Sequence, residues 1–143
     1  MSGLAALLAG RKEPGIFRWH GAFEVETVRH TVEHAGWHFG WVDGWHEETS
    51  DEFLAGCAEA LNLPEGSEKS FDALSDGLQD VGSDGSGTVL LWDGHSPFCR
   101  HDDQAFSVAL SVLGGRVNAD RGGPFVVLLR GEGPDVPGVA SID

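Results

Sequence analysis

The feature that most constrains this chain is the run Thr88-Val89-Leu90-Leu91-Trp92, apolar almost without interruption. A strand with one face in water alternates apolar and polar residues. An unbroken apolar run belongs to a strand covered on both faces, which is the habit of parallel sheets with helices on either side. A second run, Pro124 to Leu129, reads as the last strand. The pattern between and before these runs decides how the rest of the chain covers them.

Leu4, Leu7 and Leu8 have helical spacing, and Gly10 can close that turn. After the turn at Pro14-Gly15, Ile16 to Trp19 reads as a short strand. Val25, Val28, Val32 and Ala35 place an amphipathic helix over 24–35, stopped by Gly36, and Trp37 to Val42 gives a second strand before Asp43-Gly44. Thr49 or Ser50 caps a helix whose apolar face is Phe53, Leu54, Cys57, Ala58 and Leu61, ended at Leu63-Pro64. Phe71, Leu74, Leu78 and Val81 stripe the next helix. Residues 82–87 read as a flexible linker and 94–103 as a loop. Phe106, Ala109, Leu110 and Leu113 mark a last helix, broken at Gly114-Gly115. The order β-α-β-α-α-β-α-β predicts an α/β fold, a small parallel β-sheet of four strands flanked by helices. Residues 1–13 form an N-terminal segment, 14–131 the α/β domain and 132–143 a loose tail.

Charge narrows the function. Nine Lys+Arg against 23 Asp+Glu give a net charge of −14. Residues 1–50 hold four basic and seven acidic groups, a net of −3, and residues 51–143 hold five and 16, a net of −11. Phosphate repels such a chain, so neither nucleic acid nor an anionic membrane is its expected partner. The apolar stretch Leu4 to Ala9 is short and followed, not preceded, by Arg11-Lys12, the reverse of a signal peptide, and no stretch approaches the length of a membrane span. Cys57 and Cys99 lie outside any metal spacing and read as reduced thiols in a cytoplasm.

Enzyme readings find little support. Gly82 to Gly87 precedes a strand instead of following one and carries no phosphate-loop pattern, and no GxSxG elbow occurs. His30 and His34 share a helix face, but two histidines do not complete a zinc site, and they read as solvated. His95 and His101 lie near Asp93, Asp102 and Asp103, without a nucleophile or an oxyanion device; they offer at most a small hydrolase. Trp19, Trp37, Trp41 and Trp45 read as packing of the first two strands. No metal or cofactor is expected.

One pattern stands out. Glu68, Asp72, Asp76, Asp80 and Asp84 recur every four residues. On one helix this is a nearly straight acidic ridge. Like charges at that spacing cost about 0.2–0.5 kcal/mol per pair, and acids near a helix C-terminus oppose its dipole. A cationic partner would reverse that cost.

Leu61-Asn62-Leu63-Pro64-Glu65 and Phe71-Asp72-Ala73-Leu74-Ser75-Asp76-Gly77-Leu78 resemble the signature of the barstar family, intracellular inhibitors of secreted bacterial ribonucleases. Trp37 to Gly44, Leu90 to Asp93 and Pro124 to Arg130 resemble that family's three strands, so the likeness covers roughly 37–131, with 14–36 as the additional strand and helix of longer members. The resemblance implies a non-enzymatic, cytoplasmic inhibitor, monomeric when free, whose loop and acidic helix cover the active site of a basic ribonuclease, the carboxylates standing where RNA phosphates bind. By the motif, Asp72 and Asp76 match the family's two aspartates, Asp76 the one that enters the phosphate site; together with the acidic ridge and the loop, the expected partner surface is Gly66, Glu68, Asp72, Ser75, Asp76 and Asp80. The loop Gly66-Ser67-Glu68-Lys69-Ser70 lacks the family's aromatics, and Ser75 stands where the family has Trp. The alternatives are immunity to another basic toxin, or a barstar-like interaction module without inhibition.

Overall fold

The computed structural model describes residues 2–46, 49–131 and 136–142. Helix α1 (Ser2–Leu8) leads into strand β1 (Ile16–Trp19), followed by α2 (Val25–His34), β2 (His38–Asp43), α3 (Ser50–Ala60), a 3-10 turn (Ser67–Lys69), α4 (Phe71–Leu78), β3 (Thr88–Asp93), α5 (Ser96–His101), α6 (Asp103–Val117), β4 (Phe125–Arg130) and β5 (Ala140–Ile142). The strands form one sheet in the order β2-β3-β4-β1-β5, every pair parallel. This is the expected α/β fold with one more strand than the sequence pattern counted.

The two long apolar runs are its centre. Leu90, Trp92, Phe125, Val127 and Leu129 face one way into a core shared with α3, α4, α5 and α6. Val89, Leu91, Val126 and Leu128 face the other way, against Leu4 and Leu7 of α1 and Val28 and Val32 of α2. Period-two alternation puts successive side chains on opposite faces, so a strand with helices above and below must be apolar throughout. The first core also stacks Phe53, Trp92, Phe98 and Phe106, with Phe53 and Trp92 centroids 4.4 Å apart.

The capping residues act locally as the sequence implies. Thr49 caps α3 in a full capping box with Glu52, and Gly10 and Gly36 close α1 and α2 with φ of 75° and 86°.

Four expectations are corrected. Residues 94–103 are not a loop: Ser96–His101 is a helix, started by Pro97 and separated from α6 by the cap of Asp102 on the Ala105 N–H. Gly114-Gly115 does not break α6, which runs to Val117, because Leu113 and Arg116 on either side are buried and anchored. The tail is not loose at 140–142, where β5 pairs with the free side of β1 and buries Ile142; residues 132–135 lie outside the described residues. The tryptophans divide: Trp19 is buried, but Trp41 and Trp45 are 39% and 50% exposed and do not pack the strand pair.

Candidate functional site

The expected ridge resolves into a loop–helix unit, not one long helix. Glu68 lies on the 3-10 turn, Asp72 and Asp76 on α4, Asp80 in the turn after α4, and Asp84 in the loop before β3. α4 ends at Leu78, where the Gln79, Asp80 and Val81 N–H groups bond three residues back instead of four, and the chain then turns at Gly82 and Gly85, with φ of 70° and 89°. Asp84 leaves the set: its carboxylate accepts from the Ser86 N–H at 2.9 Å and meets His38 Nε2 at 3.4 Å, contacts that hold it below the usual carboxylate range.

The remaining acids stay open to solvent. Glu68, Asp72, Asp76 and Asp80 are all exposed, and none forms an ion pair among the described residues. Asp72 and Asp76 are one helical turn apart, about 6 Å along the axis. Asp76 and Asp80 border an open groove of about 450 Å³ with Lys69, Gly66 and Pro64. Gly66 belongs to the groove wall at φ 94°, a conformation that favours glycine. Ser75 is half-buried, and its carbonyl accepts from Gln79 Nε2 at 3.3 Å.

The surface is held rigidly from beneath. Ser70 caps α4 by accepting from the Ala73 N–H, and Asp72 sits in the first turn, where the helix dipole favours an anion. Leu74 and Leu78 are fully buried, and Phe71 stacks on Phe53 at 6.3 Å. Ser67 is buried, and its hydroxyl donates to the Pro64 carbonyl at 2.7 Å. Gly77 lets the turn approach the helix: a Cβ there would fall 2.4 Å from Ser67 Oγ. At the far end, buried Arg116 donates to the carbonyls of Leu78, Val81 and Gly123 at 3.1, 2.7 and 3.0 Å, putting a cation at the helix C-terminus.

Ser67, Gly77 and Arg116 were not legible as supports of the site. A glycine inside an amphipathic helix is the one signal that marks close approach. Arg116 lies 38 residues from Leu78, and nothing local connects them.

The C-terminal ends of the strands are filled by structure. Arg130 makes a two-pronged ion pair with Asp93 (3.0 and 2.8 Å) and donates to the Gly21 and Phe23 carbonyls, so it ties β3 and β4 to the β1–α2 turn. Asp93 is therefore not a partner for His95. His95 is buried beside the Phe106 ring, and burial, reinforced by the Arg18 charge, lowers its pKa to about 4. His101 is exposed, as are His30 and His34. Among the described residues, no three His, Cys, Asp or Glu side chains are grouped to hold a metal ion.

Fold and surface define an acidic, parallel α/β domain whose exposed chemistry is a row of carboxylates on a loop and helix. The sequence model of one family, Barstar (barnase inhibitor), matches residues 37–130. The chain belongs to the Barstar family, an inhibitor family whose members bind ribonuclease-like partners. The match begins just before β2, so β1, α1, α2 and β5 extend the family's core. No curated protein sequence matches the chain. Among solved structures, the Aeropyrum pernix ORC2 protein in its ADP form superposes with a TM-score of 0.63 at 12% identity, over 92% of this chain and 39% of that one. Cdc6p from Pyrobaculum aerophilum superposes with a TM-score of 0.52 at 14% identity, over 92% of this chain and 36% of that one. This chain thus spans about two fifths of the solved structures it resembles, and at such identities the likeness is one of fold. No helix among the described residues is long and apolar enough to cross a membrane.

Proposed function

We propose that this protein is an intracellular, non-enzymatic inhibitor of a basic extracellular ribonuclease. It covers the enzyme's active site with the surface Gly66, Glu68, Asp72, Ser75, Asp76 and Asp80. The observation that carries this reading is that four carboxylates stand exposed on a braced loop–helix unit, with no cation paired to them among the described residues. In the free protein these like charges repel; against the Arg, Lys and His groups that bind RNA phosphate, each gains a partner. Asp76, between the groove and the helix face, is assigned the deepest position. The loop lacks aromatic side chains, so the interface depends more on charge than on apolar anchors.

The nucleotide in the ORC2 structure does not carry over to this chain. Here the turn after β1 has no phosphate-loop pattern, and the carbonyls of Gly21 and Phe23 are turned to Arg130.

The test is RNA cleavage by a small basic secreted ribonuclease from the same source, titrated with this protein. Stoichiometric loss of cleavage is expected, with Asp76→Ala needing at least tenfold more protein. Full cleavage at excess wild-type protein in low salt would refute inhibition of that enzyme.

A further inference from the structure

The sheet has two edges, and they differ. β5 is three residues long, and very short edge strands resist pairing. β2 is six residues long and regular, and its sequence His-Phe-Gly-Trp-Val-Asp holds no Lys, Pro or bulge of the kind that blunts an edge. The His38 N–H donates to Gly87 and the Gly44 N–H to Asp93, both toward β3. Backbone direction alternates along a strand, so the N–H and C=O of Phe39 and Trp41 and the N–H of Asp43 face outward, while the Asp43 carbonyl accepts from the His46 N–H at 3.3 Å.

Open grooves of about 490 and 440 Å³ flank this edge and share Arg29, Phe39, Ala60 and Asn62. The 39%-exposed Trp41 lies in one of them, opposite the small residues Gly56 and Ala60 of α3. Five carboxylates border the two grooves: Glu33, Asp43, Glu59, Asp80 and Asp84. Arg29 and His38 are the basic side chains among them; Asp84 meets His38 and Asp43 meets His46 at 2.6 Å, which leaves Glu33, Glu59 and Asp80 without an ion pair among the described residues.

We propose that the outer edge of β2 docks an extended, cationic segment of a partner protein, which joins the sheet as a sixth strand. Main-chain hydrogen bonds to residues 39, 41 and 43 hold the segment. Its basic side chains reach the bordering carboxylates while their aliphatic stems lie along Trp41 and Ala60. Charge argues against a second copy as the occupant, since it would bring its own net charge of −14 and the same acids. Of the residues assigned to the ribonuclease surface only Asp80 borders one of these grooves, and neither it nor Asp76 lines the groove that holds Trp41.

The experiment titrates the full chain with a capped heptapeptide alternating lysine and valine, and follows amide hydrogen exchange by NMR. At saturation, exchange at Phe39, Trp41 and Asp43 is expected to slow at least tenfold. The same peptide N-methylated on alternate backbone nitrogens should lose binding. Trp41→Lys should weaken binding at least tenfold, and Asp76→Ala should leave it unchanged. No protection at those amides, equal binding of the N-methylated peptide, or a peptide-free dimer paired through β2 would each overturn the proposal. The N-methylated peptide acts on the unaltered protein, so the test stands even if the lysine variant fails to fold.

Discussion

Single side chains decide whether the acidic surface has a fixed shape. Gly77 is the clearest case, because a methyl group there meets Ser67, which is buried and committed to Pro64. Alanine would otherwise favour a helix by about 1 kcal/mol over glycine. The contact is expected to outweigh that gain, so Gly77→Ala should destabilise the protein by about 1–2 kcal/mol in urea denaturation. Ser67→Gly should restore part of the loss when combined with it. A Gly77→Ala protein more stable than wild type would show that the turn and helix are not in tight contact. His95 gives a second prediction. Its folded pKa of about 4 lies below the ordinary value of 6.5, so the unfolded chain binds the proton more readily. Stability therefore falls as pH drops from about 6.5 to about 4, by up to about 1.4 kcal/mol per unit from this group. His95→Gln should flatten the slope in that window. Asp72 and Asp76 were legible from spacing and motif, whereas the partners that fix them were not. A motif records residues near in sequence, and Ser67 meets Gly77 only after the turn at Gly66 folds the chain back.

At the scale of elements, periodicity gave the positions of β1, α2, β2, α3, β3 and β4, because each carries its own apolar pattern and stop signal. It failed where a distant segment supplies the stability. β5 exists because β1 offers an unpaired side, and α6 continues through two glycines because Arg116 beyond them is anchored. The five-acid ridge failed for the opposite reason, since an exact period of four implied one continuous helix where α4 stops at Leu78 and the chain turns through 79–85. Arg116 joins α6 to the end of α4, and Arg116→Met would leave three carbonyls without their charged donor. A loss of about 3 kcal/mol or more is expected in urea denaturation. A change below about 1 kcal/mol would mean that α4 does not depend on this tie.

For the whole molecule, charge and topology act together. The helices of one face present the carboxylates, the helices of the other extend the family's core, and the central strands β3 and β4 between them carry no charge until Asp93 and Arg130 close their ends. A net charge of −14 accelerates the approach of a basic partner and is screened by salt, whose Debye length shrinks from about 10 Å at 0.1 M to about 3 Å at 1 M. The class of partner was legible from this charge and the resemblance together. The braced geometry that presents the carboxylates was not, because it depends on contacts between segments far apart in sequence. In the proposed function, Asp76 and its neighbours bind a ribonuclease by charge. Isothermal calorimetry with the basic ribonuclease, at low and at high salt, tests it most directly. One-to-one binding is expected, weakening as salt rises and weakened by Asp76→Ala at least thirtyfold, about 2 kcal/mol. Binding that is indifferent to both salt and Asp76→Ala, or no binding at low salt, would contradict it.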